Sequence, residues 1–230
     1  MKVNTATATR PRRCHPLRPE MDHASERAQM VHVQLRGRGI RDEAVLGALA
    51  HLPRHQFIPP ENRDLAYRDG PVGIGAGQTI SQPYVVALMT EALDIEPGLK
   101  VLEVGTGCGY QAAVLAVLEA RVHSIEIRPR LSACAATTLS GLGIENVTLH
   151  HGDGYDGLSA EAPFDRIIVT AAPERIPSEL PEQLKDGGRM LIPVGPRRRQ
   201  KLLLVQREGG QFRTTELLDV LFVPLTRDAI

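Results

Sequence analysis

Apolar positions fall along the chain in two rhythms. From Lys100 onward, short aliphatic runs at Lys100–Val104, Val122–Ile127, Val147–His150, Arg166–Val169 and Met190–Val194 predict strands. Between them, apolar residues recur at helical spacing over Gln111–Glu119, Arg130–Leu142 and Ser178–Leu184. Such alternation predicts a parallel sheet with right-handed crossovers. Two further strand-like runs, Lys201–Gln206 and Glu216–Pro224, are joined through Glu208-Gly-Gly210 and predict an antiparallel hairpin at the sheet edge. The predicted class is α/β: a doubly wound, mostly parallel seven-stranded sheet.

Upstream, the pattern predicts a helical extension. Ser25 is a candidate N-cap for a short helix carrying Met30, Val33 and Gln34 and ending at Arg36-Gly-Arg-Gly39. Asp42 is placed to cap a second helix, with Val45, Leu46 and Leu49 on one face and Pro53 beyond its end. Arg54 to Pro71 is irregular and polar. The segment Gly70-Pro-Val-Gly-Ile-Gly-Ala-Gly-Gln-Thr-Ile-Ser-Gln-Pro83 holds too many glycines for a stable helix or strand. It is a linker or a functional loop; the polar cluster Gln78, Thr79, Ser81 and Gln82, fixed by Pro83, favours the loop. Tyr84–Leu93 then places Val85, Leu88, Met89 and Leu93 on one helical face. Residues 1–22 lack periodicity, contain three prolines, and are expected to form a disordered basic tail.

Composition narrows the function. With 230 residues, 42% of them hydrophobic, the chain can bury a full core. Aromatics total only 3%, which argues against a stacking platform for single-stranded nucleic acid. The formal net charge is zero, but Lys2, Arg10, Arg12, Arg13 and Arg18 against Glu20 leave the rest of the chain at −4, a poor duplex binder. The three cysteines have no paired spacing, so neither a zinc motif nor a disulfide framework is expected. His51 and His55 are separated by Pro53, and adjacent His150 and His151 would point to opposite faces of a strand, so no metal site is expected. No apolar stretch approaches the roughly 18 to 20 residues needed to span a bilayer. The N-terminus has no apolar core and is no secretory signal. Its arginines fit a transit peptide, yet a disordered tail, or a start at Met21 or Met30, explains them more simply. The Arg197-Arg-Arg-Gln-Lys201 run is expected on a solvated turn.

Candidate chemistry gathers at Val101-Leu-Glu-Val-Gly-Thr-Gly-Cys-Gly-Tyr110, where the first strand of the alternating series enters a glycine turn and then a helix. That arrangement builds a nucleotide pocket. A dinucleotide turn wants Gly-x-Gly-x-x-Gly, and here the third position is Tyr110. The turn is Glu-x-Gly-x-Gly-x-Gly, which resembles the S-adenosyl-L-methionine loop of Rossmann-like methyltransferases and sets Gly105, Thr106 and Gly107 against that cofactor. This ligand has no pyrophosphate, so the backbone need only approach an amino acid and a ribose, which glycine permits. Glu126 ends the second strand about twenty residues later, where a carboxylate accepts ribose hydroxyls; an ordinary surface glutamate is the alternative. Asp153, in His151-Gly-Asp-Gly154 after the third strand, is placed to accept from the adenine amino group, although Gly-Asp-Gly is also a generic turn. Glu103 either pairs with the cationic amino group of the cofactor's methionine end or orients the turn. Nothing near Cys108 in sequence lowers a thiol pKa, so it is expected to be a bystander.

Over roughly residues 28–226 the chain resembles the protein-L-isoaspartate O-methyltransferases. The resemblance rests on Gly77-Gln-Thr-Ile-Ser-Gln-Pro83, the run from Val101 to Ala116, His151-Gly-Asp-Gly154, Ile167-Ile-Val-Thr-Ala-Ala-Pro173, Gly187-Gly-Arg-Met-Leu-Ile-Pro-Val-Gly195 and Val223-Pro-Leu-Thr226. It implies that Ser81 is the active-site serine, that Thr79, Ile80 and Ser81 line the cofactor, and that Thr226 returns from the C-terminus to close the same pocket. It also implies the family's variant strand order at the C-terminal edge, within one methyltransferase domain over 23–230 with an active-site loop at 70–83. Three departures bear on substrate preference: Cys108 replaces the usual serine, Ala76 stands where histidine is common, and no tryptophan follows Gly-Asp-Gly-Tyr.

The implied reaction moves a methyl group from S-adenosyl-L-methionine, leaving S-adenosylhomocysteine, to the free carboxylate of an L-isoaspartyl residue, which begins repair through a succinimide. A carboxylate with a pKa near 4 is almost wholly ionised at pH 7, so no general base is needed. Expected partners are isoaspartyl-containing proteins and peptides, with no nucleic acid and no membrane, for a monomeric, cytoplasmic enzyme. The alternative is a carboxyl methyltransferase dedicated to another peptide; a noncatalytic cofactor binder and a nicotinamide dehydrogenase stand further off.

Overall fold

The computed structural model describes residues 23–227; the tail expected at residues 1–22 lies outside the described residues. Helix α1 (His23–Gln29) runs into a π-helical turn at Met30–Leu35 that buries Met30 and Leu35. Ser25 lies inside this helix rather than capping it. Asp42 does cap α2 (Glu43–His51): its Oδ1 accepts from the amides of Ala44 at 2.8 Å and Val45 at 3.1 Å. Beyond Pro53 the chain makes two 3-10 turns, Arg54–Phe57 and Pro60–Leu65.

The glycine-rich segment departs from expectation. It forms a small antiparallel hairpin, β1 (Val72–Gly75) with β2 (Gln78–Ile80), in which Val72 faces Ile80. The glycines supply the reversal, with φ of 91° at Gly75 and 68° at Gly77, while Val72, Ile74 and Ile80 anchor the strands in the core. Helix α3 (Pro83–Leu93) follows, with Pro83 in its first turn, where a missing amide costs nothing.

The alternating half builds the main sheet from β3 (Lys100–Val104), α4 (Tyr110–Val117), β4 (Arg121–Glu126), α5 (Pro129–Gly141), β5 (Val147–His151), β6 (Phe164–Val169), α6 (Glu179–Glu182), β7 (Leu184–Val194), β8 (Gln200–Glu208) and β9 (Gln211–Val220). The strand order is β5-β4-β3-β6-β7-β8-β9. Strands β5 to β7 pair in parallel, and β8 and β9 add antiparallel pairings, as expected. β3 is covered on both faces. Val101 packs with Met89, Leu93 and Leu115, while Leu102 and Val104 pack with Ile125, Phe164 and Leu180.

Two expected elements are corrected. The helix over Ser178–Leu184 is a single turn, because Leu184 is taken into the sheet opposite Phe164. The last strand ends at Val220 rather than Pro224. There the Gln200 side chain engages the Phe222 backbone on both sides, accepting its amide at 2.6 Å and donating to its carbonyl at 3.1 Å. Residues 223–225 then leave β8 and run beside the end of β6, where Ala172 donates to Val223 and accepts from Leu225.

The connections diverge at the carboxyl ends of β3 and β6. The Thr170 amide donates to the Val104 carbonyl at 2.9 Å, and its hydroxyl donates to the Gly105 carbonyl at 2.6 Å. Gly105 has φ +95°, and a Cβ there would stand 2.5 Å from Thr170 Oγ1. Gly105→Ala therefore combines backbone strain with a clash, and is expected to lower stability by about 2 kcal/mol or more. Urea unfolding measures it; a change under about 0.5 kcal/mol, the scatter of ordinary surface substitutions, contradicts the close approach.

Candidate active site

The glycine turn hangs from β3 and β4. The amides of Gly105 and Thr106 both donate to the Ile125 carbonyl, at 2.9 and 3.3 Å. Gly107 and Gly109 turn with φ of 54° and 86°, and a Cβ on Gly109 would press the Ala135 Cβ at 3.1 Å. Glu126, at the end of β4, closes the turn: Oε2 accepts from the Gly107 amide at 2.8 Å and Oε1 from the Arg128 amide at 2.9 Å. Its carboxylate thus stands beside the turn, as the spacing predicts.

Two lobes of one groove flank this turn. The first is lined by Gln78, Thr79, Gly105, Gly107, Glu126 and Thr226, among others. The second brings together Thr79, Ile80, Ser81, Glu103, Gly105, Thr106 and Gly107. Nine of the ten expected cofactor positions therefore face one groove. Asp153 is the exception: Oδ1 accepts from the Tyr155 amide at 2.9 Å and Oδ2 pairs with Arg227 at 2.5 Å, leaving its neighbour Gly154 to line the first lobe. Thr226 arrives on the C-terminal segment held by Ala172 and Gln200, which is further secured by Tyr155 Oη donating to the Leu225 carbonyl at 3.2 Å.

Glu103 is fully buried, and Ser124, its partner in the β3–β4 register, donates a short hydrogen bond to Oε2. Ser124 is joined in turn to the Thr106 hydroxyl at 2.5 Å. Oε1 has no hydrogen-bond partner among the described residues. Burial pushes this carboxyl up to about 8, with the Ser124 hydroxyl opposing the rise and the nearby Glu126 adding to it. An unpartnered buried carboxylate oxygen in the second lobe suits an ammonium group, so the donor set fits the methionine end of S-adenosyl-L-methionine.

Cys108 also lines the second lobe. Desolvation pushes its thiol up to about 11, so at neutral pH it is no nucleophile.

A wider cleft of 670 Å³ adjoins the groove and is lined by Thr79, Ser81, Gln82, Tyr84, Thr170 and Val223, among others. Ser81 links the second lobe to this cleft, whereas Thr79 and Thr170 line both lobes and the cleft. Sequence reasoning missed two residues here. Thr170 is the first residue after β6; the strand order marks that place as the switch point. Arg54 gives no such signal. It is 0% exposed, and its Nη2 donates to the Ser81 carbonyl while Nε donates to the Ala66 carbonyl, each at 2.7 Å. Its guanidinium lies 4.9 Å from the ring centroid of Tyr110, whose phenol is pushed up to about 12 by desolvation.

Comparison with known proteins places this geometry. A family model described as protein-L-isoaspartate(D-aspartate) O-methyltransferase (PCMT) matches residues 25–229. A protein-L-isoaspartate O-methyltransferase from Roseiflexus sp. (strain RS-1) is 52% identical over 205 residues, which cover 89% of this chain and 94% of that one. Its counterpart from Gloeobacter violaceus is also 52% identical, over 86% of this chain and 98% of its own. Among solved structures, a protein-L-isoaspartate O-methyltransferase superposes with a TM-score of 0.78 at 30% identity over 86% of this chain, which spans 65% of that longer chain. A Plasmodium falciparum structure described as a beta-aspartate methyltransferase (PCMT) in complex with S-adenosyl-L-homocysteine gives a TM-score of 0.79 at 27% identity, over 91% of this chain and 100% of that one. The chain thus belongs to the protein-L-isoaspartate (D-aspartate) O-methyltransferase family.

Proposed function

We infer that this chain uses S-adenosyl-L-methionine to methylate the free carboxylate of L-isoaspartyl residues in damaged proteins and peptides, which begins their repair through a succinimide. The observation that carries the reading is the shared wall. Ser81 stands between the lobe holding Glu103 and a cleft wide enough for a peptide, so a carboxylate reaching Ser81 faces the cofactor groove. When bound, the cofactor supplies a methyl carbon on a sulfonium; the S–C bond breaks as the O–C bond forms, and both opposite charges vanish.

The chain's own residues then align and enclose. Glu103 Oε1 accepts from the ammonium. Glu126 receives the ribose hydroxyls, because each carboxylate oxygen keeps acceptor capacity after its bond to the turn amides. Thr79, Ile80, Gly105, Thr106, Gly107 and Thr226 close the groove. Asp153, which lines neither lobe and pairs with Arg227, is assigned the adenine amino group on its place after β5 alone. The Ser81 hydroxyl donates to the substrate carboxylate, while Arg54 holds the Ser81 backbone from below. No group need remove a proton, so catalysis rests on alignment and exclusion of water. No described helix is long and apolar enough to cross a membrane. The remaining parts of the reading are a single methyltransferase domain over 23–230, working as a cytoplasmic monomer without nucleic acid.

An isoaspartyl peptide and its aspartyl twin, incubated with methyl-labelled cofactor, separate the possibilities: only the isoaspartyl peptide should gain label. Equal labelling, or none, refutes the assignment. Ser81→Ala is expected to lower turnover about 10- to 100-fold, the value of a hydrogen bond to a charged group, with S-adenosylhomocysteine affinity held within about threefold. An unchanged rate removes Ser81 from the reaction.

The Glu103 carboxyl titrates at about 8 and is protonated below that in the ligand-free protein. An ammonium favours the carboxylate, so binding expels a proton. Affinity for S-adenosylhomocysteine should therefore rise between pH of about 5.5 and 7, by up to roughly tenfold per pH unit. Calorimetry in buffers of different ionisation enthalpy reads the released proton, and Glu103→Gln should flatten the rise. A flat profile in the parent chain excludes the pairing.

A further inference from the structure

Of the Arg197-Arg-Arg-Gln-Lys201 run, the three arginines lie exposed at the turn between β7 and β8, as composition predicts, while Gln200 is buried and Lys201 exposed at the start of β8. Two of these arginines, however, line the same 670 Å³ cleft as Ser81. Arg198 and Arg199 share that cleft with two other charged residues, Arg38 and Asp219. Arg38 is neutralised by Asp69 at 3.1 Å and lies 3.7 Å from the centroid of the Tyr84 ring. Asp219 is neutralised by Lys201 at 2.8 Å. No described carboxylate pairs with Arg198 or Arg199. The cleft therefore presents two uncompensated guanidinium groups on one side. Beside them the cleft is lined by Leu218, Phe222 and Leu221, the last 74% exposed, on the segment that Gln200 ties to the same turn.

We propose that Arg198 and Arg199 select isoaspartyl segments that carry acidic side chains beside the isoaspartate. The proposal rests on the isoaspartyl reading above and adds the charge of the sequence flanking the damaged residue. The cleft is larger than one side chain at Ser81 requires, so neighbouring residues of an extended peptide enter it. An arginine fork matches a carboxylate in two parallel hydrogen bonds, a geometry that lysine does not offer. Both arginines are exposed, so their effect is long-ranged steering and a salt-sensitive pairing rather than a buried bond.

Three synthetic isoaspartyl peptides test this, identical except that the residues flanking the isoaspartate are Glu, Gln or Lys. In the parent chain at low salt, kcat/KM should be about three- to tenfold higher for the Glu peptide than for the Gln peptide, and lower still for Lys. At about 0.5 M salt the three should converge. In R198Q/R199Q the Glu-to-Gln ratio should fall to about one, while R198K/R199K should keep a part of it. The ratio is taken within each protein, so a general loss of activity cancels, and the parent-chain series stands alone should a variant not fold. Equal rates for Glu and Gln peptides in the parent, or a preference that survives R198Q/R199Q, overturn the proposal and leave the isoaspartyl reading intact. Failure to methylate even the Gln peptide overturns both.

Discussion

The contact between Gly105 and Thr170 is the constraint on which the site depends. In a doubly wound sheet, a crevice opens where successive connections leave the sheet in opposite directions, and here that place is the gap between β3 and β6. β3 sends its chain through the glycine turn toward β4, whereas β6 ends at Val169 and sends its chain through Thr170 the other way, toward β7. For the crevice to take a ligand at backbone distance, these two strand ends must approach closely. The Thr170 hydroxyl reaches the Gly105 carbonyl at 2.6 Å, a spacing that no side chain at residue 105 tolerates. The turn's other holds, Ile125 from below and Glu126 from the flank, follow from this position of Gly105.

Two buried ionisable groups then set the character of the walls. Glu103 lies under the glycine turn and Arg54 under the Ser81 loop, both fully removed from water. Burying an ion costs several kcal/mol even after relaxation. The protein limits the cost differently on each side. Glu103 rises to about 8 and so stays neutral at physiological pH until a cation arrives. Arg54 keeps its charge and finds two backbone carbonyls and an aromatic face. Under the proposed function each group serves a neighbour: Glu103 takes the cofactor's ammonium, and Arg54 fixes the carbonyl of the serine whose hydroxyl meets the substrate carboxylate.

The centre of the sheet was legible because β3, the end of β6 and the second half of β7 are buried and read as short aliphatic runs. The glycine turn was legible because its spacing departs from the dinucleotide pattern at one position, Tyr110. What escaped the sequence depends on long-range contact. Arg54 sits in a stretch with no periodicity, and its partners at Ala66 and Ser81 lie 12 and 27 residues away, so only the folded chain shows that it is buried. The hairpin β1–β2 escaped because glycine content argues against a strand in isolation, while Val72, Ile74 and Ile80 gain enough from the core to hold one. Arg198 and Arg199 read as solvated, and they are; the antiparallel return of β8 is what brings that solvated turn over the cleft.

The same return joins the two halves of the site mechanically. Gln200 begins β8 and grips Phe222 from both sides of its backbone, and three residues later Leu225 is tied to Ala172 at the end of β6. The segment between them is therefore a short strap with both ends fixed. Val223 on that strap lines the peptide cleft and the first lobe of the groove alike, and Thr226 lies just beyond it in the groove. The cleft and the groove therefore share Val223 as part of one wall. Methyl transfer between two opposite charges gains from such a shared wall. Water that remained at either partner would shield the charges whose disappearance favours the reaction, and one strap excludes it from both.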